Sequence, residues 1–532
     1  MAEKRGYGIG LQWFPDFIQR KAVYVDKTEY VYKLAHAAGK YFFLSRPRRF
    51  GKSLLISTLQ TYFEGRKELF AGLAIDRLEH DWTAYPVIHL DLSNGKYYAF
   101  EKLHGIINGL LKDYEERWHV TVDNPIDYNE RLTRIIKSAY QQTGREVVVL
   151  IDEYDAPMLD SIHDPRLQDQ IRERIRDLFS PLKAQSQYIR FVFMTGISKF
   201  SQLSVFSELN NLKILTFDAN YEGICGITEE ELLTQLKPDI EALTQSLNKY
   251  KPMSYEDTLS ELRRMYDGYH FSERMTGVYN PWSLTNAFDS GSIKNFWFAT
   301  GTPSSLINLL RTRELNLPEL EDFETEMDVF DAPTERITDP IPVLFQSGYL
   351  TIKGFNPMTE RYTLGFPNEE VYRGFARSLY QYFCEDYVGS RNKMTNAFWD
   401  LRLKKISFEQ FLETVTRWYA GIPYSITDKN QNEQLYQSLF YALMAGMGAD
   451  IHAEEQTADG RMDISLKLHD AIYILEFKHG KSAAEAVNQV ISKQYAVRFA
   501  SDQRPVYAVG LNISPDRRTI EGFEIRLIHK GT

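Results

Sequence analysis

A chain of 532 residues is too long for a single hydrophobic core and divides into several domains of about 100–200 residues each. Its 43% hydrophobic, 14% aromatic and 25% charged residues give a globular composition, which excludes a disordered or low-complexity protein. The net charge of −10 excludes a basic coat over the whole surface; residues 391–532 carry 18 Lys and Arg against 17 Asp and Glu, so the acidic excess lies before them.

The start, MAEKRGYGIG, has no apolar run behind it, and no segment approaches the roughly 20 apolar residues of a membrane span. A cytoplasmic protein with no membrane partner is expected. Cys225 and Cys384 lie far apart and outside any CxxC or His-rich pattern. Neither a disulfide framework nor a zinc site is indicated, and both read as ordinary buried thiols.

Over the first 220 residues, short apolar runs alternate with longer helical patterns, as in a parallel α/β sheet with covering helices. The expected strands are 41–45 (YFFLS), 87–92 (VIHLDL), 147–151 (VVVLI), 189–195 (IRFVFMT) and 212–217 (LKILTF), apolar enough to be buried on both faces. Residues 221–300 change to short helices punctuated by Pro and Gly, including YDGYHF and YNPWS, and are expected to form a small helical, lid-like domain. Turn signals (TGTPSS, QSGYL, GFPNEE) make 301–394 a connecting module with some β content. A final α/β block spans 395–532, with helices expected at 433–447 and from 483 to about 499, and strands at 462–468, 472–477 and 506–511.

Between the first strand and the next helix lies Ser45-Arg46-Pro47-Arg48-Arg49-Phe50-Gly51-Lys52-Ser53. A phosphate-binding loop needs backbone N–H groups at a helix N-terminus, a Lys for the β/γ-phosphates and a Ser or Thr hydroxyl for Mg²⁺. Gly51, Lys52 and Ser53 meet this pattern, while Arg46 stands where G-x-x-x-x-G-K-[ST] has its first glycine. A lone GKS also occurs in surface turns. The third strand, however, ends in Asp152-Glu153, where the Asp suits Mg²⁺ and the Glu suits the attacking water. Together the two segments predict an ATP and Mg²⁺ site. Thr195, at the end of the fourth strand, is a candidate γ-phosphate sensor if that strand adjoins the third; a strand-end Thr satisfied by its neighbours is the plainer reading. Arg48 and Arg49 are candidate phosphate or nucleic-acid contacts, against the commoner outcome of solvated loop arginines.

Metal-dependent phosphodiester cleavage needs carboxylates to place the cation and a Lys to steady the nucleophilic water. In Ile472-Tyr473-Ile474-Leu475-Glu476-Phe477-Lys478, Glu476 and Lys478 are two apart and share a strand face. Asp463 on the preceding strand is expected to converge with them. Glu433 on the helix before and Gln489 on the helix after complete a rim. The E-x-K pair alone would be an exposed hairpin pair; the ordered set is more selective. Ser53 and Asp152 in one domain, and Glu433, Asp463 and Glu476 in the other, are the expected metal ligands.

RPRRFGKS, VVVLIDEYD, MTGISKFS, YDGYHF, YNPWS and the terminal GRMD…EFK block resemble the bacterial family that joins an AAA-ATPase-like domain to a C-terminal PD-(D/E)XK nuclease-like domain. The resemblance covers nearly the whole chain. It implies an α/β multidomain fold: a parallel P-loop NTPase sheet over 1–220, the helical and connecting segments, and a restriction-endonuclease-like domain over 395–532. It also implies that Arg46 in place of glycine is a family habit, that Asp463, Glu476 and Lys478 are nuclease-fold residues with Gln489 and Tyr495 in the following helix, and that Glu433 is similar in place to the helical Glu of archaeal Holliday-junction resolvases. The expected function is an ATP-dependent or ATP-gated nuclease acting in defence against foreign DNA. The alternative is an ATPase switch or scaffold whose nuclease-like domain binds nucleic acid or partners without cutting. Nucleic acid, DNA in the first instance, is the expected partner, with a homo-oligomer as the expected assembly.

Overall fold

The computed structural model describes residues 5–93, 95–161, 164–198, 212–297, 320–330, 340–383, 387–421, 433–457, 460–515 and 519–531. The chain forms two compact units, one of residues 1–300 with 324–368, the other of 301–323 with 369–532. The helical stretch 221–300 thus belongs with the N-terminal sheet, and the segment expected as one connecting module is shared between the units. Cys384 lies outside the described residues.

In the first unit the apolar runs build one parallel sheet of β1 (Tyr41–Ser45), β2 (Val87–Asp91), β3 (Val147–Asp152), β4 (Ile189–Gly196) and β5 (Lys213–Ile214), in the order β2-β3-β4-β1-β5. Every residue of β1 and β3 is buried, as continuous apolar strands covered on both faces must be. Helix α1 (Lys52–Phe63) follows β1, α2 (Phe100–Arg117) and α3 (Tyr128–Thr143) join β2 to β3, and α4 (Pro165–Phe179) leads to β4. Leu103, Ile107 and Leu111 of α2 and Leu132, Ile135 and Ile136 of α3 repeat at helical spacing and close on Val147, Val149 and Ile151 in one core. Each such side chain contributes about 1.5–3 kcal/mol of burial free energy, which makes the sheet a rigid platform for its loops. The fifth strand is shorter than expected. After Ile214 the Thr216 hydroxyl, not a main-chain carbonyl, accepts the Ser45 N–H at 3.0 Å, so a side chain replaces the ladder there.

The helical stretch holds α5 (Glu229–Gln235), α6 (Lys237–Leu247), α7 (Tyr255–Tyr266) and α8 (Pro281–Ser290). Capping boxes start α5 at Thr228/Glu231 and α7 at Ser254/Asp257, and Asn280 caps α8 through the Ser283 amide. Leu232, Ile240, Leu243, Leu262, Leu284 and Phe288 form the core among them. Residues 324–368 bring the β content foreseen for them, in a three-stranded sheet with strands at Phe323–Thr325, Thr351–Asn356 and Arg361–Gly365.

The second unit contains α9 (Glu369–Phe383), α10 (Phe408–Tyr419) and α11 (Glu433–Gly446), with α9 lying against α11 through Arg377 Nε to Gly446 O at 2.7 Å. Its sheet runs β6 (Asp450–Thr457), β7 (Gly460–Lys467), β8 (Ile472–His479), β9 (Val506–Ile513) and β10 (Ile520–His529) in that order. β8 and β9 are parallel and joined through α12 (Ala483–Ser492); the other pairs are antiparallel. The two strands that sequence patterning missed, β6 and β10, are the edges of the sheet; β6 is largely polar, while β10 alternates Phe523, Ile525 and Leu527 with Glu524 and Arg526, a signal that was available. The helix expected to reach about residue 499 stops at Ser492, because Gln494 takes a left-handed backbone (φ 48°) before a 3₁₀ turn at Tyr495–Phe499.

Candidate functional site

The phosphate-loop sequence runs from the carboxyl end of β1 into α1, whose N-cap is the exposed Gly51 at φ 93°. The left-handed positions of this loop are Arg49 (φ 70°) and Gly51; Arg46 is not among them, so no glycine is required there. The Arg46 side chain is buried and serves the fold. Its guanidinium donates to the carbonyls of Ser45 (3.0 Å), Thr216 (2.9 Å) and Tyr221 (3.3 Å) and lies 3.8 Å from the centre of the Phe271 ring. Burial lowers its pKa to about 10. Phe50 packs edge-on against Tyr269 and Phe271 of the YDGYHF segment, and Arg49 covers the Trp282 ring at 4.1 Å. Arg48 and Arg49 are both solvent-exposed.

Lys52 is buried, with Nζ 3.2 Å from Arg46 O, 3.4 Å from Pro47 O and 3.2 Å from Glu153 Oε1. Ser53 hydrogen-bonds Asp152 at the end of β3. Asp152 is 3% exposed, and its Oδ1 has no hydrogen-bond partner among the described residues. Burial first, then the Glu153 charge, raises its pKa to about 7, against the lowering pull of Ser53 and Lys52. A buried, unpartnered carboxylate oxygen beside a Ser hydroxyl fits a divalent cation, which would offset both effects. Glu153 sits at φ 49°, a strained conformation for a non-glycine residue. β4 adjoins β3, as the sensor reading of Thr195 requires, but the Thr195 hydroxyl donates to Leu44 O at 2.7 Å and is fully buried.

In the second unit, the pairing between β7 and β8 runs from Lys467–Ile472 to Ile464–Leu475. At the next step Asp463 Oδ2 accepts the Phe477 N–H at 2.9 Å, a side chain again taking over from the ladder. Glu476 is 1% exposed; its Oε1 accepts from Lys478 Nζ at 3.0 Å and from Gln489 Nε2, while Oε2 has no partner among the described residues. Burial and the Asp463 charge raise Glu476 to about 7, and burial raises Asp463 to about 6. Tyr495 is buried and hydrogen-bonded to Gln489. Asp463, Glu476, Lys478 and Gln489 therefore converge. Glu433 is turned instead to the His479 amide (3.0 Å) and Lys478 (3.4 Å), and among the described residues no three His, Cys, Asp or Glu side chains form a metal cage. Asp463 with the unpartnered Glu476 oxygen fits a cation as a pair.

Sequence reasoning passed over Asp155, although it stands in the VVVLIDEYD run. Its carboxylate is completely buried and accepts the N–H groups of Ile197 (3.0 Å) and Ser198 (2.6 Å) beyond β4. Asp91, at the carboxyl end of β2 and in register with Asp152, was passed over as well. The third acidic residue of the β3 run and the Asp ending VIHLD were the available signals.

A family model described as a predicted AAA-ATPase matches residues 8–206, and one for the PD-(D/E)XK nuclease superfamily matches 431–523. The chain is 32% identical over 536 residues to an uncharacterized protein in the vnfD 5′ region of Azotobacter chroococcum mcd 1, covering 97% of this chain and 98% of that one. The structure of the Aeropyrum pernix Orc1 protein in complex with DNA aligns over 69% of this chain and 96% of that chain at 11% identity, with a TM-score of 0.26. Among the described residues no helix is long and apolar enough to cross a membrane. The chain belongs to the family that unites a predicted AAA-ATPase domain with a C-terminal PD-(D/E)XK nuclease-superfamily domain.

Proposed function

We propose that the protein binds and hydrolyses ATP in its first unit and cleaves nucleic acid, DNA in the first instance, in its second. What carries the nuclease half is the meeting of Asp463, Glu476 and Lys478 around a buried carboxylate oxygen that no donor among the described residues satisfies. Mg²⁺, when bound, supplies charge neutralisation at phosphate and a more acidic water. Ser53 and Asp152 would hold it in the ATP site, and Asp463 and Glu476 in the nuclease site. Lys52 turns from its carbonyls to the β/γ-phosphates, and Glu153 orients the attacking water. Arg49 and Gly51 shape the loop around the phosphates, with Thr195 as the sensor candidate at the neighbouring strand end. In the second unit Lys478 steadies the attacking water or the charge developing on phosphate, and Gln489 holds Glu476 in place. Nucleotide state would bias the nuclease, in a homo-oligomeric, cytoplasmic protein that defends against foreign DNA.

The test is a cleavage assay on linear, supercoiled, branched and single-stranded DNA with Mg²⁺ or Mn²⁺, with and without ATP. Metal-dependent cutting that responds to ATP is expected; binding without cutting on any substrate overturns the nuclease half. One observation favours a second reading. Glu433, a third carboxylate at the rim, is engaged by Lys478 and His479, which suits a domain that binds nucleic acid or partners without cleaving.

A further inference from the structure

Asp155 follows β3 and stands at the N-cap of a short helix, Ala156–Asp160, where an Asp side chain normally accepts an N–H of its own helix. It makes no such bond. Its Oδ2 instead reaches across to the turn after β4, taking the amides of Ile197 and Ser198, while Oδ1 has no partner among the described residues. Two further bonds join the same segments: Tyr154 N–H to Thr195 O at 3.1 Å, and Tyr154 hydroxyl to Ser198 O at 2.8 Å. Gly196 leaves no space between them, since a Cβ there would lie 2.3 Å from Asp155 Oδ1. Glu153, at φ 49°, is the residue immediately before this double tie, and a left-handed Glu persists only where its surroundings over-determine it.

We propose that Asp155 is a positioning residue for ATP hydrolysis, locking the end of β3 to the turn after β4 so that Glu153 is held in its strained, water-orienting conformation. The proposal rests on the ATPase reading above. Asn at 155 retains one acceptor oxygen but loses the charge that binds two amides. Glu153 then relaxes towards ordinary φ and its pairing with Lys52 loosens, while Lys52 keeps the Arg46 and Pro47 carbonyls and Ser53 keeps Asp152, so the groups proposed to hold the nucleotide stay in place. The effect belongs in turnover and not in binding.

The experiment compares the full chain with Asp155→Asn and Tyr154→Phe, the latter losing the hydroxyl bond to Ser198 O. A fluorescent ATP analogue measures affinity, phosphate release measures turnover, and hydrogen exchange follows the Ile197 and Ser198 amides. Asp155→Asn should speed exchange at those amides and lower kcat about 10- to 100-fold, with affinity within about 3-fold of wild type. Faster exchange with unchanged kcat makes Asp155 a purely structural tie and overturns the proposal. If Asp155→Asn does not fold, Tyr154→Phe decides: a lower kcat at unchanged affinity supports it, and an unchanged kcat overturns it. A wild type that binds the analogue but hydrolyses no ATP overturns this proposal alone, whereas one that does not bind the analogue overturns the ATP-site reading itself.

Discussion

Lys52 Nζ lies 3.2 Å from Glu153 Oε1, which pairs the residue proposed to contact phosphate with the residue proposed to orient water. Lys52→Ala should weaken ATP binding while the fold survives; loss of a charge-assisted hydrogen bond of about 1.5–3 kcal/mol corresponds to roughly tenfold to more than a hundredfold in affinity. Calorimetry on the wild type and variant reads it directly.

Glu153→Gln is nearly isosteric and leaves Lys52, Ser53 and Asp152 in place. ATP should remain bound and turnover should slow, because the amide no longer attracts a proton from water. A single-turnover measurement separates the two effects, and equal hydrolysis rates would remove Glu153 from the water-positioning role.

Restoring the expected glycine by Arg46→Gly should harm the protein rather than improve the loop. The carbonyls of Ser45, Thr216 and Tyr221 lose their donor, and the Phe271 ring loses the guanidinium stacked on it. Buried acceptors left unsatisfied cost about 1–3 kcal/mol each, so a clear fall in the urea midpoint is the expected outcome.

Asp463→Ala and Lys478→Ala should abolish detectable DNA cleavage, since removing one preorganised electrostatic group commonly costs on the order of 10²–10³ in rate. ATP hydrolysis should persist in both, its residues lying in the other unit. Cleavage surviving Lys478→Ala, read on the same gels, would show that the cutting originates elsewhere.

Asp155 also predicts a pH dependence. Burial and the Glu153 charge raise its pKa to about 7 in the folded chain, from an ordinary 3.8. Between those values the folded state binds the proton more tightly than the unfolded state does, so Asp155 makes stability fall as pH rises through that window. Asp155→Asn should therefore lose less stability than wild type between pH 5 and pH 8, as followed by urea unfolding at a series of pH values; parallel curves would contradict the assignment.

Much of this protein is written locally. The apolar runs at 41–45, 147–151 and 189–195 announce buried parallel strands because such strands are covered on both faces and need no alternation. Glu476 and Lys478 share a face by strand periodicity alone, and GKS beside a strand end marks the start of α1. What tertiary structure decided lies where side chains replace local rules. Arg46 looked like a defect in the phosphate loop until the carbonyls 170 and 175 residues away defined its environment. Asp155 was passed over because its partners, the Ile197 and Ser198 amides, lie in the turn after β4, more than 40 residues away. Glu433 was expected as a metal ligand by its place in the order; that its carboxylate meets Lys478 and the His479 amide, 45 and 46 residues away, only the fold decided. The edge strand β6 carries too little apolar pattern to be seen, and its pairing with β7 makes it a strand, whereas β10 shows the alternation Phe523, Ile525, Leu527 in its sequence. Periodicity reports which face is buried; which buried polar group meets which partner depends on contacts between residues distant in the chain, and only the folded structure supplies those.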